Sequence, residues 1–267
     1  MNHRISKEAM NKSDKKIFEN YTRHYNEMGI RSRLPDDLER VKRDRLPRWI
    51  DEVPKGASIL DAGCGQGHLL AALDRMGYAC LVGIELSTSQ LAAAERFLPN
   101  SVILKQADVL SYLHQTPEAS FDVIFFHDVL EHLPREQTLE VLSGFHSALK
   151  PGGRLQVRVP NSAILIGNYF QAIDFTHITH FTEFSLLQVI ETAGFDVSRT
   201  KFDDQAPRLF WSWQRPLRGL FRFLNFLRWH LNCALHRGIF LLADMHPKPH
   251  IFDNNLLVTV FKSVMSG

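Results

Sequence analysis

Nine residues, Ile59 to Gly67, read ILDAGCGQG, and few folds accommodate them. A short apolar run ends at Asp61 and passes into Gly63, Gly65 and Gly67, which reads as a buried strand, a tight turn and the start of a helix. Glycine tolerates positive φ and admits a ligand where a Cβ would block it. The helix that follows, Gln66 to Met76, offers unpaired amide donors in its first turn. A dinucleotide fingerprint requires G-x-G-x-x-G, with the third glycine three residues beyond the second. Here Gly67 lies two beyond Gly65 and His68 stands in the dinucleotide position, so the turn is the tighter D-x-G-x-G-x-G form.

From Ala57 to Val159 the pattern alternates. Strands are expected near 58–62, 80–85, 101–106, 121–126 and 153–159, and helices at 67–77, 88–97 and 135–149, which implies parallel strands joined by right-handed crossovers. Ligands in such sheets bind at the carboxyl ends of the strands, and Asp61, Glu85, Asp108 and His127 all fall there. Glu85, about 20 residues past the glycine turn, is placed to accept hydrogen bonds from two ribose hydroxyls. Beyond Pro160, Thr182 is an expected N-cap for a helix over Phe181 to Phe195 with Gly194 as its stop. A strand over Asp196 to Lys201 follows, and Asn255 to Lys262 returns as the last strand.

These segments in this order resemble the class I S-adenosylmethionine-dependent methyltransferases: the glycine turn, CLVGIELS from Cys80, QADVL from Gln106, FDVIFFHDVLEHL from Phe121 and ALKPGGRLQVRVPN from Ala148. The resemblance implies a Rossmann-like seven-stranded α/β sheet, mostly parallel with the last strand antiparallel beside strand five, and helices on both faces. It implies a helical cap over 1–55, a cofactor-binding domain over 56–204, a basic aromatic amphipathic helical insertion over 205–250, and a final strand within 251–267. S-adenosylmethionine is the implied cofactor, with Asp61, Gly63, Cys64, Gly65, Gly67, Glu85, Leu86, Asp108, Val109 and His127 on its side. In the family the acid at Asp108 binds the adenine amino group, and His127 stands where the family touches the methionine part. The loop Asp174 to Thr182 resembles one found in methyltransferases of polysaccharide gene clusters. That likeness implies a sugar or lipid-linked glycan hydroxyl as acceptor, with a hydrophobic quinone-type phenol or a non-catalytic, cofactor-binding membrane adaptor as alternatives.

A hydroxyl acceptor must lose a proton, and histidine is the natural base near neutral pH. His177 and His180 are the candidate catalytic residues, with Asp174 able to orient one of them; a structural or capping role is the competing reading. Asp174, His177 and His180 have a spacing permissive for a metal, but no further ligand cluster points to the same place, so none is expected. After strand four, His127 is assigned to cofactor contact, while Asp128, Glu131 and His132 are assigned to capping and helix-dipole roles.

Composition bounds the partners. The chain has 267 residues, a net charge of +2 and three cysteines, Cys64, Cys80 and Cys233, without disulfide or zinc spacing. That charge is too mild to imply nucleic acid, and the polar N-terminus lacks the apolar core of a secretory signal. A cytoplasmic protein is expected, peripheral at the inner face of the membrane if the segment 208–243 binds lipid. Arg208 to Ala243 contains no Asp or Glu and interleaves arginine with Phe, Trp and Leu. Leu217, Leu220, Phe221, Leu224, Leu227 and Leu231 repeat at helical spacing, which describes an amphipathic helix suited either to an anionic membrane interface or to a core or partner contact. Phe18, Tyr21 and Tyr25 form a further aromatic helix face over Ile17 to Met28, read as packing or as a lid. A charged helix is expected from Asp36 to Glu52.

Overall fold

The computed structural model describes residues 41–42, 45–203, 216–244 and 246–263. The aromatic helix expected at Ile17 to Met28, the first five residues of the charged helix expected from Asp36, and Arg208 to Gln214 lie outside the described residues. The chain divides into two units, Met1–Tyr112 and Leu113–Gly267.

In the first unit a 3-10 turn, Arg48–Glu52, follows Pro47. The expected helix does not run through this point, since proline has no N–H to continue the ladder. The turn buries Ile50, whose carbonyl accepts the Tyr78 hydroxyl. Three parallel strands come next: β1 (Ser58–Ala62), β2 (Cys80–Glu85) and β3 (Ile103–Gln106), with β2 in the middle. Ile59, Leu60 and Ala62 are wholly buried, as befits a parallel strand covered on both faces. Helix α1 (His68–Arg75) buries Leu69, Leu70 and Leu73, and Gly77 follows its end in the left-handed region. Helix α2 (Thr88–Glu95) is capped by Ser87, whose hydroxyl accepts from the Gln90 amide. A short helix not expected from periodicity, α3 (Val109–Leu113), begins after Asp108, whose carboxylate accepts from the Ser111 amide.

The second unit holds β4 (Phe121–His127), β5 (Leu149–Pro160), β6 (Asp196–Phe202) and β7 (Asn255–Phe261), in the order β4-β5-β7-β6. β4 and β5 are parallel, while β7 is antiparallel to both its neighbours, as expected of the last strand. The register of β4 against β5 jumps between Phe121 and Val123, which absorbs the Gly152-Gly153 turn inside the longer β5. Helix α4 (Arg135–Ala148) covers the sheet with Val141, Leu142 and Phe145. Helix α5 (Gly167–Ala172) was not legible as a periodic segment. Helix α6 (Glu183–Thr192) begins in a capping box between Thr182 and Ser185 and is followed by Gly194 at positive φ.

Helix α7 (Pro216–Leu242) is one continuous rod of 27 residues. It docks through Trp229, Cys233 and Phe240 onto Ile164, Phe170 and Phe252. Two polar anchors fix it: the Trp229 indole N–H donates to Asp253 Oδ1 at 2.8 Å, and the Leu165 amide donates to buried His236 at 2.9 Å. The leucine repeat anticipated from the sequence lies on the other side. Leu220, Leu224, Leu227, Leu231 and Leu235 are all exposed, with Leu231 at 61%.

One glycine of the first unit tests the packing. A Cβ on Gly83 of β2 would come 2.6 Å from Leu70 Cδ1 and 2.9 Å from Cys64 Sγ. Gly83→Ala is expected to cost about 1–3 kcal/mol by overpacking, read as a lower urea midpoint at unchanged m-value.

Candidate functional site

The glycine corner of the first unit is held by backbone and by one acid. Gly63, Gly65 and Gly67 all take positive φ, at 82°, 53° and 75°. The amides of Gly63 and Cys64 both donate to Ile84 O, at 2.8 and 2.9 Å, which pins the turn to the end of β2. Glu85 then reaches back: its carboxylate accepts the Gly65 amide at 2.9 Å and the Ser87 amide at 2.8 Å. Burial pushes the Glu85 carboxyl up, and the amides of Ser87, Gly65 and Leu86 pull against that shift. A carboxylate has lone pairs beyond these two bonds, so it keeps acceptor capacity for a sugar hydroxyl.

The other first-unit positions serve the corner differently. Asp61 is buried at the end of β1. A Cβ at Gly67 would lie 2.6 Å from Leu98 Cδ1, so close packing of α1 as well as its φ requires glycine there. Asp108 is exposed and caps α3, with Val109 the first residue of that helix. Leu86 is half-buried beside Glu85. Cys64 is buried, and burial followed by the charges of Asp61 and Glu85 drives its thiol far above the ordinary range. It is a packed, protonated side chain, not a nucleophile.

The second unit assembles two polar groups. His127, at the end of β4, is 4% exposed. Its Nε2 lies 3.0 Å from Gln156 Oε1, and Gln156 Nε2 donates to Asp203 Oδ2 at 2.9 Å, which also accepts from Thr259 Oγ1. Because Asp203 only accepts, the Gln156 amide is oriented and His127 must carry its proton on Nε2. Gln156 and Asp203 had no sequence signal; only pairing of β5 with β7 and β7 with β6 brings them under His127.

The second group surrounds Glu131. A 3-10 turn, Leu130–His132, follows β4, and Asp128 at its entry has φ 57° with its carboxylate bound by Arg158 at 2.7 Å. The Glu131 carbonyl accepts the amides of Ile178 and Thr179, which fastens the 174–180 loop to this turn. Glu131 is 1% exposed, its Oε1 lies 3.9 Å from His177 Nε2, and its Oε2 has no hydrogen-bond partner among the described residues. Burial, then the charges of Asp128 and Asp174, push the Glu131 carboxyl well up. The rings of His132 and His177 lie 4.8 Å apart, and burial with the neighbouring His177 lowers His132.

Both imidazoles are oriented. His177 Nδ1 is 3.2 Å from Gln171 O and must donate to it. Thr176 Oγ1 donates to Asp174 Oδ1 at 2.6 Å and therefore accepts from His132 Nδ1 at 2.7 Å. Each ring is thus anchored through its Nδ1. Of the two histidines chosen from sequence, the structure brings His177 into this cluster and leaves His180 exposed outside it. Asp174 orients His132 through Thr176. Glu131 and His132, assigned above to capping, are cluster members; an acid-histidine pair directly after strand four was the signal.

Comparison with known proteins agrees with this architecture. A family model described as a methyltransferase domain matches residues 33–200. The chain is 35% identical over 131 residues to trans-aconitate 2-methyltransferase of Azoarcus sp. (strain BH72), which covers 49% of each chain. It is 35% identical over 112 residues to ubiquinone biosynthesis O-methyltransferase of Paracidovorax citrulli (strain AAC00-1), covering 39% of this chain and 45% of that one. The chain thus spans about half the length of these curated relatives. A solved S-adenosylmethionine-dependent methyltransferase from Archaeoglobus fulgidus superposes with TM-score 0.59 at 18% identity, covering 92% of this chain and 99% of that one, which shows the Rossmann-like seven-stranded fold. The chain belongs to the methyltransferase domain family, and its fold is that of the class I S-adenosylmethionine-dependent methyltransferases.

The thiol environments make a direct prediction. On alkylation of the native protein at pH 8, exposed Cys80 is expected to react first, while buried Cys64 reacts only after unfolding, as read by peptide mass spectrometry.

Proposed function

We propose that the chain transfers the methyl group of S-adenosylmethionine to a hydroxyl oxygen of a small lipophilic acceptor. The donor is held at the corner of Gly63, Gly65, Gly67 and Glu85, with Asp61, Cys64, Leu86, Asp108 and Val109 as further cofactor-side residues of the same unit. The sulfonium is already activated, so the protein's main task is to hold donor and acceptor in line, which can supply about 7–11 kcal/mol. The observation that carries the oxygen reading is the Glu131, His132 and His177 cluster. Two imidazoles, each oriented through its Nδ1 and set beside a buried carboxyl group, are suited to drawing the proton from a hydroxyl.

Lipophilicity of the acceptor is supported by the surface around the cluster's own loop. Leu165, Ile166, Tyr169, Phe175 and Ile178 are exposed, with Phe175 at 90%. The leucine face of α7 adds a long apolar stripe flanked by exposed Arg228 and Arg237. No helix among the described residues is long and apolar enough to cross a membrane. A helix lying in an anionic interface, with arginine stems reaching the headgroups, fits this stripe. A sugar hydroxyl on a lipid-linked glycan satisfies this surface. So does a quinone-type phenol, a reading favoured by the similarity to the ubiquinone O-methyltransferase.

Glu85→Ala removes the acceptor of two backbone amides and is expected to weaken S-adenosylhomocysteine binding about 10- to 100-fold by calorimetry. His177→Ala is expected to slow methyl transfer roughly 10²- to 10⁴-fold with cofactor affinity preserved. His180→Ala should matter far less. The acceptor itself is found by incubating lipid and soluble extracts with methyl-labelled cofactor: label confined to water-soluble products overturns the lipophilic reading. For the interface, changing exposed Leu224, Leu227 and Leu231 together to Ser should abolish flotation with anionic vesicles while leaving the melting temperature within a few degrees. Unchanged flotation would assign that face to another contact.

A further inference from the structure

We propose that Glu131, His132 and His177 form a binding site for one divalent first-row transition-metal ion. One ligand atom from each, a carboxylate oxygen and two ring nitrogens, all lie within 4.8 Å of one another, and the site is empty. Ligands at about 2.1 Å from a common ion stand roughly 3–3.5 Å apart, so the 3.9 Å between His177 Nε2 and Glu131 Oε1 closes by a small side-chain adjustment.

Three further features distinguish this site from a chance meeting of polar groups. First, Glu131 is 1% exposed, and its Oε2 finds no hydrogen bond among the described residues. A buried carboxylate oxygen without a donor is costly unless a cation satisfies it. Second, each imidazole has its Nδ1 proton committed, His177 to the Gln171 carbonyl and His132 to Thr176 and through it to Asp174. That is the outer-shell support that fixes tautomer and ring direction in metal-binding histidines and leaves Nε2 to coordinate. Third, the backbone holds the ligands in register, since Ile178 and Thr179 both donate to the Glu131 carbonyl and so anchor the loop carrying His177.

Two imidazoles with one carboxylate select Zn2+, Mn2+ or Fe2+ over Mg2+ and Ca2+, which favour oxygen-only shells. Three protein ligands leave coordination positions open, so an oxygen of the acceptor can complete the sphere. A hydroxyl bound there is acidified and gives its proton to water. With the ion bound, the imidazole nitrogens are its ligands, so the acidified hydroxyl gives its proton to water and not to a histidine; this role rests on the oxygen-acceptor reading above, and the site itself does not.

The test uses the full chain and Mn2+ as probe. Calorimetry is expected to show one Mn2+ per chain, with affinity at least tenfold lower in Glu131→Gln and His177→Gln and unchanged in His246→Gln, an exposed control. Spin-echo spectra of Mn2+ in the unaltered protein should show coupling to two imidazole nitrogens, a readout that requires no variant to fold. Thr176→Val, which leaves the ligands in place, should weaken binding by an intermediate factor. Absence of stoichiometric binding, absence of nitrogen coupling, or equal affinity in Glu131→Gln overturns the site. If methyl transfer persists at full rate without bound metal, the acidifying role falls while the transfer reading stands. If Mn2+ binds but no extract yields a methylated oxygen, the reverse holds.

Discussion

The carboxylate of Glu85 is the contact on which the first unit's cofactor corner depends. It ties the glycine turn after β1 to the end of β2 by accepting amides from both sides, Gly65 and Ser87. Three residues at positive φ in five would otherwise be a pliable loop, because glycine loses the most freedom on ordering. Burial pushes the Glu85 carboxyl up and the amides of Ser87, Gly65 and Leu86 pull the other way. One side chain therefore shapes the turn and presents an acceptor beside it.

In the second unit, the analogous organising element is Glu131. It sits almost fully out of water, and burial with the like charges of Asp128 and Asp174 outweighs the opposing pull of its own backbone amide and of Arg158. Two histidines converge on it with their tautomers set by Gln171, Thr176 and Asp174. Proteins rarely retain such an arrangement for stability alone, since an apolar triad of similar volume would cost less to bury. The arrangement joins the turn after β4, which carries Glu131 and His132, to the loop after β5, which carries His177.

Helix α7 poses the opposite case, apolar surface left in water. One side carries Trp229, Cys233, His236 and Phe240 into the unit, and the other exposes a ladder of leucines. A soluble helix needs only one apolar side. The second is exposed, as are Leu165, Ile166 and Phe175.

Much of this was decided by the order of residues. The glycine spacing, the acid ending β2, the alternation of strand and helix, and the antiparallel last strand are local signals, because turn φ values and burial periods are written in a few neighbouring side chains. The Thr182 cap and the Gly194 stop belong to the same category. Tertiary structure alone decided the rest. Gln156 and Asp203 meet His127 only through strand pairing across β5, β7 and β6, and the side of α7 that packs was set by Trp229 and His236 finding Asp253 and Leu165. Of the two histidines named from residue type, His177 lies beside Glu131 and His132 and His180 does not, because that meeting spans some 45 residues of chain and is fixed by hydrogen bonds from Ile178 and Thr179 that no local pattern encodes.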